Sequence, residues 1–202
     1  MFYPYLISML IGYLLGCSNM ALYISKIKKV DLRAAGSKNL GASNATMLIG
    51  KRAGAIVFLH DALKVVLASL LAQSIFPNME HIKIITAVAG VLGHMYPFYL
   101  KFKGGKGFAS YIGMGFIIDW KFGLIMLIGL LITALLADWI VAGTFFHITI
   151  TPIFLFITHD WISALIAAIA SLCIFLKHIE NIQRKIKNEE TGIREVIFKK
   201  KK

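Results

Sequence analysis

The sequence predicts an all-α integral membrane protein, a polytopic bundle of about seven transmembrane helices, with five spans as the alternative. Three observations carry that expectation. Hydrophobic residues make up 58% of the 202-residue chain and the mean hydropathy is +0.74. Charged residues make up 16%, where a soluble domain carries about a quarter. The basic residues are also clustered: of 22 Lys and Arg, seven lie in 25–52, three in 100–106 and nine in 177–202. A net charge of +12 on so apolar a chain points to anionic substrates or an anionic lipid surface, and not to nucleic acid.

Taken in order, the first apolar run, about 3–24, opens without a cationic stretch and shows no small-residue cleavage site, so it reads as a retained first helix. Further runs at about 53–76, 82–99, 107–119, 122–137, 139–158 and 162–176 complete the seven. The fourth and fifth are short, and a bent pair or a re-entrant element would reduce the count. With seven spans all three basic segments fall on one face. Under the positive-inside rule that face is cytoplasmic, with the N-terminus out and the C-terminus in. One membrane-embedded domain over 1–202 is expected, with 177–202 as a basic tail; its closing FKKKK would touch anionic headgroups. Cys17 and Cys173 sit in apolar runs and read as small buried hydrophobes. The histidines show no metal-ligand spacing, so no metal and no cofactor are expected.

Three polar stretches stand out. In the first, DLRAAGSKNLGASNATMLIGKRAG at 31–54, Gly36 and Gly41 permit tight backbone geometry, and Ser43 or Asn44 could cap a short helix. A glycine-rich turn entering a helix presents N–H groups to an anion, although the same residues also suit a plain connecting loop. In the second, GHMYPFYLKFKGGKGFAS at 93–110, Gly104, Gly105 and Gly107 would let the backbone approach a ligand while Lys101, Lys103 and Lys106 supply charge. It is no Walker A loop, because Gly107 stands where Ser or Thr would bind magnesium. In the third, KHIENIQRKIKNEE at 177–190, His178 and Asn181 share a helix face, and Glu180 and Arg184 are spaced as an (i, i+4) pair. Asp61 and Lys64 in HDALK lie on one face of an apolar run and read as an intramembrane pair. His94 either lines the second loop or caps the helix before it.

Together the stretches resemble the bacterial acyl-phosphate-dependent glycerol-3-phosphate acyltransferase family, PlsY, over nearly the whole chain. GSKNLGASN matches the family's first motif, GHMYP with FKGGKG the second, and HIENI with Glu190 the third; HDALK echoes an Asp-x-x-Lys segment. The resemblance implies transfer of an acyl group from acyl phosphate to the 1-hydroxyl of sn-glycerol 3-phosphate at the inner membrane of a bacterium. Lysophosphatidate and phosphate would be released. Membrane lipids and the enzyme that makes acyl phosphate are the further partners it implies. Lys106 and Lys103 would neutralise phosphate, with Gly104, Gly105 and Gly107 donating backbone N–H groups. Ser37, Asn39 and Asn44 would orient phosphate or hydroxyl oxygens, and Gly36, Lys38, Gly41, Ser43, His94, Lys101 and Glu190 would complete the substrate site. His178, with Asn181, is the candidate general base; the other reading is a hydrogen bond to substrate, with the departing phosphate taking the proton.

The chain departs from the family pattern at three places. Met47 stands where the family has Arg, Lys38 where it has Gly, and DWIV at 138–141 puts Asp138 and Val141 where it has Arg and Ser. An inactive or altered paralogue that binds acyl phosphate is therefore one rival reading. A small transporter is another, but the polar residues gather in loops on one face and not at mid-membrane. The His-x-x-x-x-Asp acyltransferase class is excluded, since no histidine is followed by Asp at that spacing.

Overall fold

The computed structural model describes residues 2–198, and the closing lysines of the basic tail, 199–202, lie outside them. Every regular element among the described residues is helical. The order is α1 (Tyr3–Cys17), α2 (Met20–Lys28), α3 (Ala42–Leu48), α4 (Lys51–Ile75), α5 (Ile82–Met95), a 3-10 turn (Phe98–Leu100), α6 (Phe108–Ile118), α7 (Trp120–Leu136), α8 (Ile140–Thr158), α9 (Trp161–Ile186) and α10 (Ile193–Phe198).

Each of the seven apolar runs is found as helix, but the helices differ in reach. Among the described residues, four stretches are long and apolar enough to cross a membrane: Tyr3–Lys28, Lys51–Ile75, Ile140–Thr158 and Trp161–Ile186. α5, with 14 residues, extends only about 21 Å at 1.5 Å per residue, and α6 and α7 are also short. The chain is thus an all-helical, multi-pass membrane protein. The first run breaks at Ser18–Asn19, where Asn19 accepts a hydrogen bond from the Leu22 N–H at 2.9 Å and starts α2. The third ends at Met95 and not at residue 99, because Pro97 cannot donate and the chain turns into the 3-10 element. The last apolar run does not stop at 176; α9 continues through the third motif to Ile186.

The described residues form two compact units, one through Gly123 and one from Leu124 onward. In the first, α1 lies against α5, and α4 packs on α5, α6 and α3. A Cβ at Gly12 or Gly16 would run into α5 backbone at Thr86 or Gly90, so small residues let the two helices approach closely. In the second unit, α8 packs on α9, and Gly143 of α8 sits against Leu130 of α7. Both cysteines are unpaired, with Cys17 buried.

Candidate active site

The first motif is organised around Asn44. Its side chain is fully buried and faces inward. Nδ2 donates to the carbonyls of Leu32 at 2.7 Å, Ala35 at 3.2 Å and Asn39 at 3.1 Å, and Oδ1 accepts from the Ser37 N–H at 2.9 Å. Asn44 is therefore the hub that closes the loop and, contrary to the sequence expectation, neither a helix cap nor an open contact for phosphate. Ser43 does not cap either: α3 starts after Gly41 with no side-chain cap, and Ser43 is exposed. Gly36 (φ +62°) is required, since a Cβ there would meet Asn44 Oδ1. The surface left by this arrangement carries half-buried Ser37 and Asn39 and exposed Lys38. Lys38 adopts φ +56°, the left-handed conformation that favours the glycine of the family pattern. Met47 is exposed on α3, about one turn beyond Asn44.

The second motif is tied down as firmly. Phe102 N–H bonds to Pro97 O, Lys103 to Leu100 O, Gly104 to Met95 O and Gly105 to His94 O, each at 3.1 Å. Tyr99 Oη donates to Cys17 O at 2.7 Å, and Tyr13 Oη to Tyr96 O at 2.8 Å. Gly104 and Gly105 thus use their N–H groups inside the fold, which corrects the expectation that both would donate to substrate. They are needed for close packing: a Cβ would strike the His94 carbonyl at Gly104 and the His94 imidazole at Gly105. Gly107, at φ +87°, starts α6, whose opening N–H groups have no partner within the helix. Lys101 and Lys103 are exposed and Lys106 is half-buried.

Both loops rest on one apolar cluster. Leu32 and Leu40 from the first loop are buried in it with Ala21, Leu22, Ala45 and Val57, and Leu100 from the second packs against it. The lysines and Ser37 are thereby carried on a shared seat. Beneath the second loop, Lys64 and Asp61 form the expected buried pair, Nζ to Oδ1 at 2.9 Å. His94 caps nothing; its Nδ1 lies 2.8 Å from Lys64 Nζ. That link was not foreseen, because charge inside an apolar run is visible in sequence whereas its partner thirty residues away is not.

The third motif belongs to the second unit. His178 is buried, and its Nδ1 lies 2.8 Å from the Ile174 carbonyl. A carbonyl only accepts, so Nδ1 carries a proton. Phe145 stands edge-on to the ring, centroids 6.3 Å apart. Asn181 Nδ2 donates to Glu190 Oε1 at 2.5 Å and Arg184 Nε to Oε2 at 2.7 Å. Arg184 therefore pairs with Glu190 where the sequence suggested Glu180, and Glu190 orients Asn181. Asp138, at φ +46°, accepts the Arg194 N–H at 2.8 Å, and Val141 is buried. Among the described residues no group of three His, Cys, Asp or Glu is placed to hold a metal.

Comparisons with known proteins agree with these motifs. A family model described as glycerol-3-phosphate acyltransferase matches residues 6–188. Glycerol-3-phosphate acyltransferase 1 of Oceanobacillus iheyensis is 34% identical, covering 97% of this chain and 98% of its own. The Rhodopseudomonas palustris glycerol-3-phosphate acyltransferase is 36% identical over 95% of this chain and 96% of its own. Two crystal structures of PlsY, an integral membrane glycerol 3-phosphate acyltransferase, superpose closely. The glycerol 3-phosphate form has a TM-score of 0.88 at 33% identity and the lysophosphatidic acid form 0.85 at 32%, each covering 96% of this chain and 98% of the other. On the matched motifs, the family model and the shared fold, this chain belongs to the glycerol-3-phosphate acyltransferase family.

Proposed function

We propose that the protein acylates the 1-hydroxyl of sn-glycerol 3-phosphate from acyl phosphate, yielding lysophosphatidate and inorganic phosphate. The observation that carries this reading is the shared seat of the first two loops. It puts the first loop, with Ser37 and Lys38, and the second, with Lys101, Lys103 and Lys106, on one unit, and the second loop runs directly into the start of α6, an arrangement suited to phosphate. In the reaction the glycerol oxygen bonds to the acyl carbon, the bond from that carbon to the phosphate oxygen breaks, and phosphate departs. An acyl phosphate is already activated, so a covalent nucleophile is unnecessary, and positioning with charge stabilisation supplies the acceleration. The departing phosphate can take the hydroxyl proton; the resemblance names His178 as the other candidate acceptor. For the third motif the support is the resemblance plus the local geometry: His178 is oriented by its Nδ1 contact to the Ile174 carbonyl, and Glu190 sets Asn181.

The same reading includes seven spans, with α5, α6 and α7 crossing as short protein-packed helices, and the basic loops at the cytoplasmic side of a bacterial inner membrane. The enzyme that makes acyl phosphate is the partner it implies. The test is an assay of purified protein with labelled glycerol 3-phosphate and either acyl phosphate or acyl-CoA. Turnover with acyl phosphate alone is the expected result. Equal turnover with acyl-CoA removes the donor assignment, and binding of acyl phosphate without turnover supports the inactive-paralogue reading.

A further inference from the structure

One turn of α4 holds both ends of the glycine-lysine loop. At the α5 end, His94 Nδ1 lies against Lys64 Nζ. At the α6 end, Ser110 Oγ donates to the Asp61 carbonyl at 2.9 Å, and Gly113 packs on the Ala62 carbonyl. Lys64 is itself fully engaged: besides His94, it reaches Ser18 O at 2.6 Å and Asp61 Oδ1 at 2.9 Å. His60 adds Nδ1 to Asp61 Oδ1 at 3.3 Å and Nε2 to Ser18 Oγ at 3.1 Å. Three acceptors surround the three protons of an ammonium, and a carboxylate balances its charge. An ammonium has no lone pair, so His94 must accept at Nδ1. Its proton then sits on Nε2, the ring atom that lies against Gly105. The groups facing the imidazole are thus Lys64, Asp61 at 3.5 Å from Nδ1, and the glycine of the loop.

We infer that Lys64, held by Asp61, is a positioning residue for the acyl transfer: it fixes His94 as the Nε2–H tautomer and, through that ring, sets Gly105 and Lys106, the loop lysine that follows it. This rests on the reading of the second loop as a phosphate site, but its primary test does not. Protein labelled with 15N-histidine, with His94 assigned by the signal lost in His94→Gln, should show a pyridine-type Nδ1 and a pyrrole-type Nε2. In Lys64→Met, Asp61 becomes the only strong partner near Nδ1, so the proton should move to Nδ1. A pyrrole-type Nδ1 in the unaltered protein would mean that His94 donates to a neutral lysine, and it overturns the proposal.

The kinetic counterpart uses the double variant Asp61→Leu with Lys64→Met, which removes the buried charges together and so preserves the fold. The expected result is a tenfold or greater rise in KM for a phosphate-bearing substrate, with the unfolding temperature within a few degrees of the original. A merely structural role would instead lower the yield of active enzyme at unchanged KM. Unchanged KM with a displaced tautomer uncouples the ring from the loop and also overturns the proposal. If no variant turns over substrate, nor does the unaltered protein, the functional reading fails while the tautomer result still stands on its own.

Discussion

Lys38 is the residue where backbone strain and charge pull in opposite directions. A side chain held in left-handed geometry costs about 1–2 kcal/mol, and glycine's greater chain entropy returns roughly 0.5–1 of that. Lys38→Gly should therefore stabilise the protein by about 1 kcal/mol, read as a higher unfolding temperature in detergent. The same change removes an exposed cation from the first loop. If it contacts phosphate, KM for glycerol 3-phosphate should rise about fivefold, the equivalent of roughly 1 kcal/mol. A gain in stability with no change in KM would show that Lys38 stands clear of the substrate. The loop around it was only partly legible. Glycine, serine and asparagine announced a tight turn, but the inward aim of Asn44 depends on carbonyls at 32, 35 and 39 that the loop brings together only once folded.

At the scale of elements, the link between α5 and α6 explains why three glycines accompany three lysines. In sequence the glycines read as room for a ligand to approach the backbone. In the structure Gly104 and Gly105 let the chain close onto the end of α5, and their N–H groups continue its hydrogen bonding. Gly105→Ala should force the new methyl against the His94 ring, an overpacking cost of about 1–3 kcal/mol. Expressed in the substrate complex, that is a fall in kcat/KM of about 5- to 150-fold. Steady-state kinetics with a thermal-shift control separates this from unfolding. Periodicity and apolar runs located the helices well, whereas their ends did not follow hydropathy. Asn19 breaks the first run by capping, and α9 carries on past its apolar stretch because nothing in KHIENIQRKI stops a helix.

For the whole molecule the outstanding expectation is topological. Single cysteines at positions 38, 103 and 187, with Cys17 and Cys173 replaced, should resist an impermeant thiol reagent in intact cells and react in inverted vesicles. Labelling from outside at any one of them would break the single-face arrangement. Composition alone identified the membrane class, and the three motifs identified the family, because both are local properties of sequence. The number of crossings was less accessible, since a helix of 14 residues such as α5 can be short for a bilayer and still be packed among longer neighbours.

The anchoring of residues 94 and 110 to a single turn of α4 also bears on how this protein can change length over evolution. Surface connections are ordinarily where insertions and deletions accumulate. Between α5 and α6 that freedom is reduced, because both ends are pinned, His94 to Lys64 and Ser110 to the Asp61 carbonyl, and an added residue must bulge out between them. The short turn from α4 to α5, around 76–81, carries no such double anchorage among the described hydrogen bonds. Length variation among descendants of this chain should therefore be absorbed more readily on that side than between His94 and Ser110.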